Sequence, residues 1–502
     1  MEAYVLPVEK PFHGSIERFL ELTTKLQSKD VMKMHLGSLE SLIEVEGREI
    51  QRLMLEEHIG LRGTDNLGES VEGSDGVVRT HRRIRPIGLK TIFGEIQIER
   101  TQYGKPGHTS LAPKEAMLNL PQCSYSHSLQ RRLTLEVAKG SYDEAIASIE
   151  AQTGVRLHKR QAEEIAQAAA RDFDVFYEKR GVLELRETTR ENDLLILSTD
   201  GKGVAMRKED LREPTKKRAE NEKKLKKRLT RGEKKNAKRM AQVATVYSIA
   251  RHERDVDSIM EDRKEKPAPK PQKKRIWASL EHNPEIVISK MFDEANRRDP
   301  KHKREWAVLV DGQRKQLDHV NKQIEDRVLS VTIIIDLIHV LEYLWKASRC
   351  FHAEATREGE DWVSRYLRMI LEGHAKQVAA AIRRSATRQG ISDREGVDTC
   401  ADYLHNNAEY LHYDQYLERG LPIATGVIEG ACRHLVKDRM DVTGARWSLR
   451  GAEAVLRLRS LHASGDWEEY WNFHVLQEYE RNHRIHYAKP ERLEQTRLRV
   501  VK

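Results

Sequence analysis

Cysteine is scarce in this chain. There are four in 502 residues, Cys123, Cys350, Cys400 and Cys432, and no two form a CxxC pair. That spacing excludes a zinc ribbon and a disulfide scaffold from the expected architectures, and a reducing cytoplasm is the natural compartment for such a chain. No apolar run approaches the ~20 residues that span a bilayer. The N-terminus, MEAYVLPVEKPFHGSIERF, lacks a basic stretch followed by an apolar one, so no secretory signal is expected there.

Charge and length are plentiful. Charged residues make up 33% of the chain and hydrophobic ones 38%, enough for several cores. Length alone suggests about three domains. Lys and Arg number 88 against 79 Asp and Glu, a net of +9, which points to a polyanionic partner or to a basic surface. Residues 206–240 hold sixteen Lys/Arg against six Asp/Glu, so this one segment accounts for the excess. A solvated face and a phosphate-contacting face are both open for it. The basic, Pro-rich stretch 263–275 is expected to be an extended loop.

Patterning divides the chain into seven stretches. Residues 1–77 read as helices followed by an acidic, Gly-rich loop. Residues 78–120 form a small β-rich segment, where HRRIRPIGLKT and FGEIQIERTQY alternate polar and apolar positions. Residues 121–190 are helical. Within them SYDEAIASIEAQTGVRLHKRQAEEIAQAAARDFDVFY has the form helix, Gly turn, helix, which suits a helix-turn-helix DNA reader or an ordinary helical hairpin. Residues 191–344 are α/β, with strands expected at 194–198, 243–250, 306–310 and 331–335. Residues 345–422 are all helical, 423–462 carry a helix with Glu429 near its start, and 463–502 form an aromatic-rich and then basic tail.

Near-continuous apolar strands are those buried on both faces of a sheet. Three of the four expected strands end in an aspartate: Asp200, Asp311 and Asp336. Open α/β sheets bind ligands just past the carboxyl ends of their strands, although an aspartate there also serves as a helix cap or turn residue. Asp200, Asp311 and Glu429, separated by 111 and 118 residues, are the candidate catalytic and metal-binding set. A ribonuclease-H-like sheet gathers such positions at one end. Three carboxylates there repel one another, and Mg²⁺ or Mn²⁺, hard cations that prefer oxygen, relieve the repulsion. Two such ions suit in-line attack at a phosphodiester.

Several motifs in one order, STDGKGV (198–204), VLVDGQ (308–313), IIIDLIHVLEYLWKA (333–347), GVIEGACRHLVKDRM (426–440) and TGARWSLRGAEAVLRLR (443–459), resemble those of DDE transposases of the ISKra insertion-sequence family. The resemblance spans roughly residues 80–475. It implies an α/β ribonuclease-H-like catalytic core with an all-helical insertion, preceded by a helical and small β-rich N-terminal region. Asp200 and Asp311 match the family's catalytic aspartates and Glu429 its catalytic glutamate. Asp336 and His339 match a Cys/Asp-x-x-His motif of related transposases, and Asp336 is the alternative to Asp311 as middle metal ligand. The implied activity is metal-dependent DNA cleavage and strand transfer, with two Mg²⁺ or Mn²⁺ ions as the cofactor and no zinc. The implied partners are the element's terminal inverted repeats and target DNA, bound by a homo-oligomer associated with the nucleoid and not with a membrane. Lys216, Lys217, Arg218, Lys223, Lys224, Lys226, Lys227 and Arg228 are the expected phosphate contacts. Arg446 and Trp447 are either DNA contacts or, respectively, an ion-paired and a core residue. A decayed, non-catalytic DNA-binding repressor or architectural protein and a ribonuclease-H-like nuclease are the rival readings.

Overall fold

The computed structural model describes residues 11–180, 193–221, 235–261, 267–442 and 444–489. The chain forms two compact units, Met1–Phe176 with Glu468–Lys502, and Tyr177–Trp467.

The first unit opens with two helices, His13–Leu26 and Leu36–Leu61. Two short strands follow, β1 (Val71–Glu72) and β2 (Val78–Arg79). Then comes an antiparallel sheet of β3 (His81–Thr91), β4 (Gly94–Lys105) and β5 (His108–Leu111), ordered β3-β4-β5. The β3–β4 turn is tight because Gly94 takes a positive φ of 128° and the Thr91 hydroxyl donates to the Gly94 carbonyl (2.9 Å). Alternation along β4 buries Ile96 and Ile98 with Ile59, Leu89 and Leu120. Three helices, His127–Lys139, Tyr142–Thr153 and Lys159–Ala169, pack on one another. A capping box at Ser141 and Glu144 starts the second, and Gly154, at φ 71°, ends it. The tail expected after residue 463 is in fact helical over Trp467–Asn482. Its Tyr470 hydroxyl donates to the Ala169 carbonyl, and its His474 Nδ1 lies 2.7 Å from the Asp172 carboxylate. Those aromatic residues are therefore core of the first unit.

The second unit is built on a five-stranded mixed sheet ordered β10-β9-β6-β7-β8. β6 (Leu194–Ala205), β7 (Lys238–Ile249) and β8 (Gln272–Ser279) run antiparallel in succession. β9 (Trp306–Val310) pairs parallel to β6, and β10 (Val331–Ile335) parallel to β9. Helices Pro284–Arg298 and Arg314–Asp326 connect β8 to β9 and β9 to β10. Residues 337–418 contain no strand and hold the helices Leu337–Ser348, Arg357–Leu371, Ala375–Arg388, Glu395–Asn406 and Tyr413–Glu418. The chain then runs through a helix over Gly426–Met440 and a second over Leu449–Ser464, which lies on β8. Tyr413 and Tyr416 donate to the carbonyls of Ile335 (2.8 Å) and Ile333 (3.3 Å), closing the edge that β10 would otherwise offer.

Two expectations change here. β6 does not stop at Thr199. It continues to Ala205 as one arm of a hairpin with β7, so Asp200 lies inside a strand, opposite Val243. The basic stretch 263–275 is not all loop: from Gln272 it is β8, and Arg275 is buried. Arg275 lies 3.6 Å from the Tyr177 ring centroid and pairs with Glu294, which Arg297 (2.7 Å) and Arg298 (2.8 Å) also engage. Burial disfavours the Glu294 charge, but the three guanidiniums outweigh it and hold the carboxyl far below its ordinary range.

A glutamate whose folded pKa is depressed stabilises the protein above its unfolded value of ~4.3 and loses that contribution as pH falls toward the folded value. Glu294→Gln should lower unfolding free energy at pH 7 by about 3–5 kcal/mol, since it leaves buried guanidiniums unpaired. In urea titrations the gap from wild type should narrow steadily below pH ~4. A gap that is small at pH 7, or constant down to pH 3, contradicts this role.

Candidate metal centre

Four carboxylates and one imidazole meet at the carboxyl end of the parallel strands. The β6–β9 ladder stops at Ser198 and Leu309, where the Ser198 hydroxyl donates to the Leu309 carbonyl (2.8 Å). Asp200 lies two residues beyond, on the arm of β6 that only β7 still pairs. Its Oδ1 accepts the Gly201 N–H (2.6 Å), and its Oδ2 accepts from the Cys432 thiol (3.2 Å). Burial and the Asp200 charge both push that thiol's pKa up, so it stays a protonated donor.

Asp311 follows β9 directly. Its Oδ1 accepts the Gln313 N–H (2.9 Å), a turn that places Gly312 at φ 80°. A side chain at 312 would meet Tyr403 and Ile335 at 3.0–3.1 Å. The Tyr403 hydroxyl donates to the Asp311 backbone carbonyl (2.8 Å), and its ring stacks on Tyr343 at 4.0 Å. Burial raises the Asp311 pKa, repulsion from Asp200 raises it further, and His339 opposes both.

Asp336 follows β10 directly and is fully buried. It caps helix Leu337–Ser348 by accepting the Ile338 N–H (2.9 Å). It also accepts from the Thr425 hydroxyl, and its Oδ2 lies 3.4 Å from His339 Nδ1. Burial works against its charge, but these three bonds together hold its pKa below the ordinary value. The same bond to Asp336 is the largest factor pushing His339 up to about 9, against the effect of burial.

Glu429 lies one turn into the helix that starts at Gly426, and that helix runs on through a π-helical segment, Cys432–Lys437. Such widened turns are frequent at functional sites. Burial and then the Asp336 charge raise the Glu429 pKa, with His339 opposing, and Glu342 and Asp200 add to the repulsion.

Asp200 is thus close enough to act electrostatically on both Asp311 and Glu429. The tightest grouping, however, is Asp336, His339 and Glu429, whose ligand atoms lie within 4.8 Å of one another and could hold a metal ion. A second buried grouping, Asp172, His474 and Glu478, belongs to the first unit. Its carboxylates are already engaged by Arg171 and Arg481, which makes it an ion-pair network of the core.

Sequence reasoning did not find Thr425, Tyr403, Cys432 or Glu342. Of these only Glu342 left a signal: it continues the three-residue spacing of Asp336 and His339 along one helix face.

The basic candidates are scattered. Lys217 and Arg218 are exposed on helix Glu213–Glu220, and Lys216 pairs with Glu213 (2.8 Å). Lys223, Lys224, Lys226, Lys227 and Arg228 lie outside the described residues. Arg446 is exposed. Trp447 is buried, and base stacking by it falls away. Its indole N–H donates to the Met440 carbonyl (3.1 Å), Arg439 sits 4.8 Å from its ring, and its backbone bonds with Ala205 and Arg207 at the end of β6. Trp447→Phe should therefore cost about 1–3 kcal/mol of stability through the lost bond and weakened cation–π contact. The folded variant should bind DNA as wild type does in a fluorescence anisotropy titration. A large loss of DNA affinity at unchanged stability would return Trp447 to the DNA interface.

Among the described residues, no helix is long and apolar enough to cross a membrane. No family model matches the chain, and no curated protein matches it.

Proposed function

We propose that the second unit is a ribonuclease-H-like core that breaks and joins phosphodiesters, and that the chain is an insertion-sequence transposase. The observation that carries the reading is the gathering of Asp200, Asp311, Asp336 and Glu429 at one end of the mixed sheet, with His339 opposing their charge. The sheet order, an antiparallel β6-β7-β8 meander extended by parallel β9 and β10, supports the core assignment. The step from phosphodiester chemistry to transposition rests on the motif resemblance alone.

The donor set fits a hard divalent cation. Oxygen ligands dominate, negative charge is in excess, and two of the carboxyls have raised pKa values in part because their neighbours repel them. Asp200, Asp311 and Glu429 would hold Mg²⁺ or Mn²⁺, with Asp336 as the alternative to Asp311. Bound there, such ions supply charge stabilisation at the attacking and leaving oxygens of a phosphodiester. The protein's own part is positional. Gly201, Gln313 and Ile338 N–H groups aim the aspartates, Thr425 and His339 secure Asp336, and Tyr403 fixes the backbone that carries Asp311. Exposed Lys217, Arg218 and Arg446 are available to phosphates, contacts that orient a duplex without reading its sequence.

The burial of Asp336 and its three hydrogen bonds favour a supporting role for it, whereas its place beside Glu429 favours a ligand role. Variants separate the two. With duplex carrying the DNA that flanks the reading frame, Asp200→Asn, Asp311→Asn and Glu429→Gln should each cut at least ~100-fold more slowly, since metal stabilisation contributes several kcal/mol. DNA affinity should be kept, and combining the changes should add little. EDTA should abolish cutting, and Mg²⁺ or Mn²⁺, but not Zn²⁺, should restore it. Asp336→Asn with an intact fold and near-normal cutting makes Asp311 the middle ligand; the reverse pattern selects Asp336. Wild type that binds this DNA and never cuts it would replace the enzyme with a DNA-binding repressor. Cutting without joining of a 3′-OH would leave a nuclease.

A further inference from the structure

The first half of β3 presents charge of one sign. Six consecutive residues, His81–Pro86, are exposed, although the strand pairs with β4 along its whole length. β3 is the edge of its sheet. Its outer side bridges to Tyr125 at Lys90, and among the described residues no strand lies beside it from His81 to Leu89. The open stretch carries His81, Arg82, Arg83 and Arg85. Arg83 and Arg85 share one face with His81, and Arg82 lies on the other. Lys105, exposed, follows Gly104, which pairs with His81. No aspartate or glutamate occurs between Asp75 and Glu95, or between Glu99 and Glu115.

These cations are not spent on the fold. Two nearby arginines are: Arg79 is buried and pairs with Asp75 (2.8 Å), and Arg100 pairs with Glu115 (2.5 Å). Arg82, by contrast, reaches the neutral Asn66 Oδ1 (3.3 Å) and Gly68 carbonyl (3.2 Å), and Arg83 Nε donates to His81 Nε2 (2.9 Å). The side chains of Arg85 and Lys105 have no partner among the described residues.

We propose that this edge of β3 binds the phosphates of duplex DNA, giving the first unit a DNA contact of its own that reads no sequence. Two features favour a nucleic acid over an acidic protein. The first is composition. Ile84, 63% exposed, is the one large hydrophobic side chain open in the stretch, whereas interfaces between proteins close around an apolar, charge-depleted centre. The second is the choice of cation. The planar fork of arginine matches phosphate oxygens in pairs, and an extended strand sets Arg83 and Arg85 ~6.8 Å apart on one face. A structural role competes with this one. Edge strands carry charge and proline to stop other strands from adding to them, and these arginines with Pro86 suit that too. The two roles differ in what they need. Blocking an edge needs charge of either sign, while phosphate binding needs positive charge. The proposal goes beyond the phosphodiester reading, since that site belongs to the other unit.

The test is fluorescence anisotropy of the full chain with a labelled duplex of arbitrary sequence, in EDTA, over a salt series. Changing Arg82, Arg83 and Arg85 together to Gln should weaken binding at least ~10-fold at ~0.1 M salt and flatten the slope of log K against log salt by about 2.7, at ~0.9 per lost contact. Arg83→Glu with Arg85→Glu keeps the edge charged, so the chain should stay monodisperse with its thermal midpoint kept, yet bind DNA at least ~10-fold more weakly. Affinity and salt slope unchanged in both variants overturn the proposal and leave the arginines as edge protection. Wild type that binds no duplex overturns it as well. Polyglutamate that displaces the duplex as well as unlabelled duplex does would make an acidic protein the occupant and also overturn it. Because metal is chelated, a chain that binds through β3 and never cuts when metal is restored keeps this proposal and loses the phosphodiester reading.

Discussion

Repulsion between carboxylates is the constraint around which the second unit is arranged. Asp200, Asp311 and Asp336 each sit within two residues of the end of a parallel ladder, and Glu429 is brought to them by a late helix. Left to themselves, such groups would separate or protonate. They are held in place because each is tied to something rigid. The backbone N–H groups of Gly201, Gln313 and Ile338 orient the aspartates, and the strands behind them are apolar and largely buried. Excess negative charge stored on a rigid frame is the condition that favours a divalent cation over a proton.

The all-helical stretch between β10 and Glu429 supports that frame. Tyr403, Tyr413 and Tyr416 send their hydroxyls to the backbone carbonyls of Asp311, Ile335 and Ile333. These bonds secure β9 and β10 just where the carboxylates emerge. On the far side of the sheet, Arg275 on β8 is fixed by Glu294 and by stacking on Tyr177. The unit therefore combines apolar strands, which supply the burial energy, with a few buried polar anchors that fix register.

Much of this was legible in the sequence. The apolar runs at 194–198, 306–310 and 331–335 are strands because only a sheet buried on both faces accepts them. The alternation around Ile96 and Ile98 gave the β3–β4 hairpin. Other features were hidden by composition. Gln272–Arg275 reads as a continuation of a basic loop, because nothing local shows that Glu294, nineteen residues later, neutralises Arg275. β6 reads as ending at Thr199, because the glycines at 201 and 203 look like a turn, whereas here the β7 ladder carries them as strand. Trp447 looks equally suited to core and to DNA until Met440 and Arg439 are placed beside it. Thr425 carries no sequence signal, since its role exists only through contact with Asp336, 89 residues away.

The central claim is that these carboxylates form one cation site. Calorimetric titration of the full chain with Mn²⁺ at pH 7.5 tests it without requiring a substrate. The account predicts saturable binding of one or two ions per chain, strongly weakened by Glu429→Gln and by Asp200→Asn, with both variants folded. Binding that is absent in wild type, or equally strong in both variants, would contradict it.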